Sequence, residues 1–351
     1  MLLDARTPAS LDAALALAAA CLRSGGLIGL PTETVYGLGA DADNPAAVAA
    51  IFAAKGRPAD HPLIVHVADG AAGAAALAHF AASVPPFAQA LAVAFWPGPL
   101  TLILPRRAGV AQAAAGGQDS IGLRCPAHPV ALALLRLLAQ GAQPLRGIAA
   151  PSANRFGRVS PTTAAHVRSE LGEALLVLDG GDCQRGIEST IVDCTRGQPV
   201  LLRPGPITRA QVQAACGLAV LLPGQAAAQY LEHAAPRASG TLASHYAPRA
   251  RVVLMDAAAL SAALLGSTQH NAALPSGLGL YLRSAPLQVA AQALPQPVLA
   301  RMPRTAPAAA RSLFATLRRL DDAGVDTIWV ETVPEGVAWD GVRDRLQRAA
   351  A

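Results

Sequence analysis

The sequence predicts two α/β domains, and three observations lead to that prediction. Short apolar segments of strand length alternate with segments of helix length along most of the 351 residues. Hydrophobic residues make up 52% of the chain, which is enough for a packed core. A stretch rich in Pro and Gly at residues 221–249 interrupts the alternation, and we interpret it as a linker between domains 1–220 and 250–351.

The elements of domain 1–220 follow from the sequence in order. The first helix is predicted to begin after Thr7, with Pro8 in its first turn, and to end at Gly25. Further helices are predicted at residues 45–54, 129–139, 162–171 and 208–216. Short apolar runs predict strands at residues 27–30, 63–67, 100–104, 121–123, 147–150, 175–178, 190–193 and 200–202. This order of elements predicts an α/β domain with a mixed sheet.

The alternation resumes on a smaller scale in domain 250–351. Strands are predicted at residues 251–255, 278–282 and 327–330, and helices at residues 257–265, 306–320 and 339–349. The alanine-rich tracts are interpreted as compositional bias within helices rather than as disorder. This domain carries no motif that we can connect to chemistry, so the sequence leaves its role open.

The composition excludes several classes of protein. Lys and Arg total 28 against 23 Asp and Glu, a net charge of +5 without a basic run, so a tail that binds nucleic acid is not indicated. The five cysteines include no C-x-x-C pair, which argues against a disulfide framework or a structural zinc site and fits a reducing cytoplasm. The first residues lack the features of a signal peptide, and no uncharged apolar run is long enough to span a membrane. We therefore expect a cytoplasmic protein without a membrane partner.

Lys55 is the single lysine of a chain that otherwise uses arginine. It ends a predicted helix, and Arg57 follows two residues later, so both side chains point to one side of an extended segment. A compact ammonium beside a planar guanidinium suits a chain of phosphates. The plainer alternative is a helix C-terminus with favourable cations. A Walker A loop is excluded because Ala54 rather than Gly precedes the lysine.

Polar loops follow several of the predicted strands. Residues 31–39 are predicted as a loop that carries hydroxyls, a carboxylate and flexible glycines. Ser152 and Asn154 follow the strand at 147–150, and further polar loops occur at residues 186–191 and 202–205. Because α/β proteins bind ligands at the carboxyl ends of their strands, these loops predict a binding site. Each loop taken alone is also explained by an ordinary polar turn.

Taken together and in order, these segments resemble the threonylcarbamoyl-AMP synthase family, whose catalytic domain is YrdC-like. The motifs are PTETVYGLG at 31–39, K-x-R at 55–57, HPLIVH at 61–66, WPGPLTLIL at 96–104, RCP at 124–126, APSAN at 150–154, GIESTIVD at 186–193 and LLRPGP at 201–206. The segment SHYAP at 244–248, before the small α/β domain, resembles the long form of the family. The resemblance implies a twisted, open mixed sheet with a positively charged concave cavity, and a smaller Rossmann-like, three-layer C-terminal domain.

The resemblance also implies a reaction and its participants. The family is an ATP-dependent nucleotidyltransferase that converts L-threonine, bicarbonate and ATP to threonylcarbamoyl-AMP, pyrophosphate and water, for the threonylcarbamoyladenosine modification of tRNA at A37. ATP is expected as a substrate, with Mg²⁺ bound through its phosphates and no metal held by protein ligands alone. The expected partners are the downstream tRNA threonylcarbamoyl transferase proteins, without stable binding of nucleic acid.

Site residues carry over from the family motif by motif. Lys55 and Arg57 are expected to be catalytic, through positioning and charge neutralisation. The residues expected to bind L-threonine are Thr34, His66, Arg124, Ala150 and Ser189. The residues expected to bind ATP are Lys55, Arg57, His61, Ser120, Ser152, Asn154, Ser160, Arg203 and Tyr246.

Three questions stay open at the level of sequence. Residues 236–248 are predicted to close over the cavity as a lid that excludes water, and a passive tether is the alternative. An RNA-binding or ribosome-maturation factor is an alternative function, although aromatic residues make up only 4% of the chain and do not alternate with basic ones. A hydrolase or transferase acting on carbamoyl groups is a third possibility, which would use His66 and Glu33.

Overall fold

The structure is a computed structural model that describes residues 1–229, 236–242, 244–269, 275–292 and 298–351. The chain divides into two compact units. The first comprises Met1–Phe156 and Ser160–Thr241, and the second comprises Gly157–Val159 and Leu242–Ala351. Among the helices of the described ranges, none combines the length and the apolar character that crossing a membrane requires.

The first unit is built around a sheet of ten strands. The strands are β1 (Leu2–Asp4), β2 (Ile28–Leu30), β3 (Gly37–Asp41), β4 (Ile64–His66), β5 (Leu100–Pro105), β6 (Ser120–Arg124), β7 (Ile148–Ala149), β8 (Leu176–Asp179), β9 (Thr190–Asp193) and β10 (Val200–Arg203). The helices are α1 (Pro8–Arg23), α2 (Pro45–Lys55), α3 (Gly70–Phe80), α4 (Pro86–Phe95), α5 (Pro129–Leu138), α6 (Ala164–Leu171), α7 (Arg209–Cys216) and α8 (Pro223–Gln229).

The sheet is mixed, in the order β1-β8-β2-β3-β7-β4-β6-β5-β9-β10. Successive residues of its strands face opposite sides, as the twofold period of a strand requires. Ile148 therefore packs with α1 and α5 on one face, whereas Ala149 packs with α2, α3 and α4 on the other. Helices cover both faces, so the strand ends are where polar loops reach a ligand.

One prediction about this sheet was wrong. Residues 31–39 were expected to form a loop with flexible glycines, but Gly37–Asp41 forms β3 and pairs antiparallel with β2. A Cβ atom at Gly39 would lie 2.9 Å from Cγ2 of Ile148, so this glycine is required by close packing between neighbouring strands. Strand β1 and helices α3, α4 and α8 were not predicted.

The second unit is a smaller α/β structure. Its strands are β11 (Arg251–Met255), β12 (Leu278–Leu282), β13 (Val298–Arg301) and β14 (Thr327–Glu331), and its helices are α9 (Ala257–Gln269), α10 (Ala285–Gln292), α11 (Ala306–Asp322) and α12 (Asp340–Ala349). The strands are all parallel, in the order β11-β14-β12-β13. The predicted fold class, a mixed α/β sheet with a separate small α/β domain, is confirmed.

Candidate active site

Arg124 is the centre of a buried polar cluster at the end of β6. Its Nη1 donates to Oγ1 of Thr34 at 2.9 Å, its Nη2 to Oε1 of Glu33 at 2.6 Å, and its Nε to the carbonyl of Gly98 at 3.2 Å. Arg124, Glu33 and Thr34 are all buried. Three of the five guanidinium N–H groups donate to described residues in this way, and the other two have no acceptor among the described residues.

His66 lies beside Arg124, because the parallel strands β4 and β6 pair these two residues in register. Burial first, and then the Arg124 guanidinium, lower the pKa of His66 to about 3. The ring is therefore neutral at physiological pH, and its Nδ1 has no hydrogen-bond partner among the described residues. Ala150 follows β7 at the same place, with its backbone N–H bonded to the carbonyl of Ile64 at 2.9 Å.

Ser189 immediately precedes β9, and its hydroxyl links Thr101 to Arg203. Its hydroxyl is 2.7 Å from that of Thr101, and Nη2 of Arg203 donates to the same hydroxyl at 3.1 Å. The carbonyl of Ser189 accepts from Nε and Nη2 of Arg203 at 3.0 and 2.8 Å. These bonds fix the arginine at the end of β10.

Lys55 is buried at the last turn of α2. Its Nζ donates to the carbonyl of Ser152 at 2.5 Å and to that of Asn154, so two of its three N–H groups are bound to the APSAN loop. Burial first, and then the charge of Arg57, lower the pKa of Lys55 well below its usual value. Gly56, with φ 61°, ends the helix in a left-handed turn that leads to Arg57.

Arg57 and Arg203 converge on Ser239. Nη1 of Arg203 donates to the Ser239 carbonyl at 2.9 Å, and Nη2 of Arg57 donates to its hydroxyl at 3.4 Å. Arg57 is also bonded to the carbonyl of Pro62 at 3.0 Å. Oxygen atoms of the segment 236–241 thus contact two guanidinium groups that the family resemblance implies for ATP binding.

The segment 236–241 is held in place by Arg237. The backbone N–H of Arg237 donates to Oε1 of Gln118 at 2.7 Å, and its side chain donates to Asp60 at 2.7 Å and to the carbonyl of Gly116 at 3.1 Å. The cavity that the segment shares with Ser120 has about 10 Å³ left, room for about one water molecule. The individual roles of Gln118, Arg237 and Ser239 were not predicted, although Arg237 and Ser239 lie within the predicted lid.

Three further residues were predicted to bind ATP, namely His61, Ser160 and Tyr246. His61 packs edge-on against Phe156, with ring centroids 5.4 Å apart, and Arg57 lies 5.8 Å over the same ring. Ser160 donates to Oε1 of Glu188 at 2.5 Å. Tyr246 belongs to the second unit, where it has φ 64°, a left-handed conformation that is strained in a residue other than glycine.

No group of three or more His, Cys, Asp or Glu side chains suited to a metal ion occurs in the ranges that the structure describes. The side chains described above supply guanidinium groups, an ammonium, hydroxyls and the carboxylate of Glu33. The Arg124 cluster suits a small zwitterion with a hydroxyl, and the group formed by Lys55, Arg57 and Arg203 suits an anionic chain of oxygens.

Comparisons with known proteins identify the family to which the chain belongs. Residues 20–205 match the family described as Telomere recombination (Sua5, YciO and YrdC), and residues 207–351 match the threonylcarbamoyl-AMP synthase C-terminal domain. The chain is 36% identical to the threonylcarbamoyl-AMP synthase of Pyrococcus abyssi, over 95% of this chain and 93% of the relative. It is also 36% identical to that of Bacillus subtilis, over 97% of this chain and 93% of the relative.

A solved structure has the same fold. The crystal structure of P. abyssi Sua5 complexed with L-threonine matches with a TM-score of 0.83 and 34% sequence identity, over 100% of this chain and 97% of that chain. The resemblance stated from the motifs is thereby confirmed. This chain is an enzyme that belongs to the threonylcarbamoyl-AMP synthase family, in the long form with an added C-terminal domain.

Proposed function

We propose that this chain forms L-threonylcarbamoyl-AMP from L-threonine, bicarbonate and ATP, releasing pyrophosphate and water. The observation that carries the proposal is the convergence of Arg57 and Arg203 on the two oxygens of Ser239. Two guanidinium groups aimed at neighbouring oxygens, with the Lys55 ammonium near Arg57, make a site complementary to a triphosphate.

Threonine is the proposed amino acid. Arg124 has two further N–H groups that would bind a carboxylate, and we expect the hydroxyls of Thr34 and Ser189 to bind the hydroxyl of the ligand. His66 is neutral and offers Nδ1 as a further hydrogen-bonding atom. Ala150 would contact the threonine through its backbone. The L-threonine complex of the P. abyssi relative supports this choice of substrate.

The proposed ATP contacts are Lys55, Arg57, His61, Ser120, Ser152, Asn154, Ser160, Arg203 and Tyr246. Mg²⁺ would arrive on the phosphates of ATP, as is usual for this ion. The described residues around Arg57 and Arg203 offer cations that neutralise the charge developing on pyrophosphate. No covalent intermediate with the protein is needed.

The proposed chemistry has two steps. The threonine nitrogen first loses its ammonium proton to solvent. The neutral amine then attacks the carbon of carbon dioxide or bicarbonate and forms the N–C bond of a carbamate, which releases a proton from the carbon dioxide route or water from the bicarbonate route. A carbamate oxygen then attacks the α-phosphorus of ATP, and the bond to the pyrophosphate oxygen breaks. The protein contributes by holding the reactants in line and by stabilising the leaving group.

The carbamate decomposes in water, which gives the segment 236–241 a proposed role. Its contacts with Arg57, Arg203, Gln118 and Asp60 support the interpretation of residues 236–248 as a lid. Opening would admit ATP to the guanidinium groups, and closing would exclude water during the reaction. The product would pass to the proteins that modify A37 of tRNA.

Pyrophosphate release tests the proposal. The full chain is incubated with ATP, Mg²⁺, L-threonine and bicarbonate, and pyrophosphate is followed with a coupled assay while nucleotide products are separated by chromatography. We expect release that requires both threonine and bicarbonate, together with a new adenylate. Release that is independent of threonine or of bicarbonate would contradict the proposal.

A further inference from the structure

Glu33 is a buried carboxylate with one oxygen to spare. Its side chain is 6% exposed, and Oε1 accepts from Nη2 of Arg124 at 2.6 Å. The other oxygen, Oε2, is buried and accepts no hydrogen bond from any residue that the structure describes. A buried acceptor without a donor destabilises the folded protein, so this oxygen is an unusual feature that needs an explanation.

A purely structural ion pair would look different. Arg136 and Asp69, elsewhere in the same unit, form a two-pronged pair in which Nε meets Oδ1 at 2.7 Å and Nη2 meets Oδ2. In the Arg124 pair the second nitrogen, Nη1, donates instead to Thr34, and the second carboxylate oxygen is left over. Arg124 therefore orients the Glu33 carboxylate but provides a hydrogen bond to one of its two oxygens alone.

The left-over groups complement an amino acid. A zwitterion carries an ammonium and a carboxylate on one carbon, so its site needs an anion and a cation side by side. Glu33 and Arg124 are in direct contact, with one free oxygen on the first and two free N–H groups on the second. Neutral His66 adds no competing charge to this pair.

We propose that Glu33 binds the α-ammonium group of the amino-acid substrate through Oε2, while Arg124 binds its carboxylate. This inference rests on the proposed function and adds a residue that selects amino acids over hydroxy acids. Glu33 would then be a specificity-determining residue, and its free oxygen is satisfied only when the substrate is bound.

The test compares two ligands that differ only at the amino group. Titration calorimetry on the full chain measures the affinity for L-threonine and for 2,3-dihydroxybutanoate of the same stereochemistry, in which a hydroxyl replaces the ammonium. We expect the wild-type protein to bind threonine about tenfold tighter or more, the effect of one charged hydrogen bond. Equal affinity for the two ligands would overturn the proposal.

Glu33→Gln is the decisive variant. Its amide oxygen can still accept from Arg124, but its NH₂ group then faces the ligand ammonium and repels it. We expect the preference for threonine to fall to about threefold or less, mainly through weaker threonine binding. If Glu33 had only a structural role, the substitution would lower the affinity for both ligands by the same factor. An unchanged preference for threonine in this variant would therefore overturn the proposal. Glu173→Gln, which breaks a surface pair with Arg168, is the matched control and should keep the wild-type preference.

The variant leaves the Arg124 guanidinium without its counterion, so folding is checked by thermal denaturation. If Glu33→Gln does not fold, Glu33→Asp decides, because it keeps the charge but withdraws the oxygen by one methylene. A reduced preference for threonine supports the proposal, and the full wild-type preference overturns it. Absence of threonine binding by the wild-type protein would overturn the proposed substrate itself, and is distinguishable from every outcome for Glu33.

Discussion

Two buried glutamates, Glu33 in the first unit and Glu331 in the second, lie close to strand ends and have very different surroundings. Glu331 ends β14, and its Oε2 accepts from the backbone N–H groups of Arg283 and Ser284 at 2.6 and 2.7 Å. Its Oε1 accepts from the Ser284 hydroxyl. Glu33 accepts a single hydrogen bond, from Arg124, and keeps one buried oxygen free of the described donors.

The difference teaches how to distinguish a structural charge from a binding one. Both carboxylates are buried next to an arginine. Glu331 is the last residue of β14 and Glu33 lies shortly after β2, so burial, charge and position near a strand end are alike. Glu331 holds together the end of β12 and the start of α10, and both of its oxygens accept hydrogen bonds from described donors. The number of unused hydrogen-bonding groups, rather than the presence of a buried charge, separates the two regions.

Lys55→Arg is expected to have the largest effect on activity. It tests whether a buried charge of the first unit serves binding rather than structure. The Lys55 ammonium fits between the carbonyls of Ser152 and Asn154, and a planar guanidinium is too large for that position. We expect the rate of threonine-dependent pyrophosphate release to fall about 100-fold or more, roughly 2.7 kcal/mol. Turnover close to that of the wild type would show that the site does not require a lysine at this position. The surface substitution Arg168→Lys is the control.

Glu331→Gln is expected to act on stability alone. Removing the charge weakens hydrogen bonds to two backbone N–H groups and a hydroxyl in a buried position, at a cost of about 2 kcal/mol in the free energy of unfolding of the second unit. Urea denaturation followed by Trp fluorescence measures the change. Pyrophosphate release at a temperature where the variant is folded should equal that of the wild type, and a catalytic defect there would break the contrast between the units.

His66 is expected to make stability depend on pH. The ordinary pKa of 6.5 holds in the unfolded chain, whereas burial and then Arg124 lower the pKa to about 3 in the folded protein. Between these values only the unfolded chain binds the proton, so stability is lost as the pH falls below about 6.5, by up to about 1.4 kcal/mol per pH unit.

His66→Gln tests this dependence. We expect the free energy of unfolding of this variant to fall less steeply between pH 6 and pH 4 than that of the wild type. Denaturation curves at half-unit intervals of pH give the two slopes. Equal slopes would mean that the imidazole is protonated in the folded protein, and that the cluster around Arg124 accommodates a second cation.

The smallest effect is expected for Arg237→Ala. This residue holds the segment 236–241 through partly exposed bonds to Asp60 and Gln118, of the kind that contribute less than about 1 kcal/mol each. Because Ser239 contacts the guanidinium groups proposed for ATP, a looser segment should lower the KM for ATP by about two- to fivefold. The comparison is with Arg168→Ala, which removes another exposed ion pair. A raised KM would show that Arg237 itself helps to bind the nucleotide.

The sequence predicted secondary structure best where the ends of apolar runs are marked by Gly, Pro or charged residues. The strands that carry His66 and Arg124, and the helix that ends at Lys55, were predicted because apolar runs end at Gly, Pro or charged residues there. Helix α3 was not predicted, because its alanines are apolar on every face and show little helical periodicity. Helix α4 was missed although its apolar residues do recur at helical spacing. Strand β3 was taken for a loop, since glycine in a pattern does not reveal whether it serves flexibility or close packing.

The site could be predicted only in part from sequence. The motifs contain Glu33 and Thr34 side by side, but only the tertiary structure brings Arg124 into contact with both. It leaves Oε2 of Glu33 without a donor among the described residues. Ser239 lies 36 residues from Arg203 in the chain, and its contact with that arginine depends on tertiary structure. Hydrogen-bond partners distant in sequence leave no local pattern by which to find them.

The solitary lysine has a practical consequence for labelling. Apart from the α-amino group of the chain, Lys55 carries the single primary amine of the sequence, and it is 3% exposed. An acylating reagent that modifies amines therefore reports on one internal position, and mass spectrometry of a single peptide gives the extent of reaction. The rate at which that peptide is modified, measured with and without ATP, reports how often Lys55 becomes accessible to solvent.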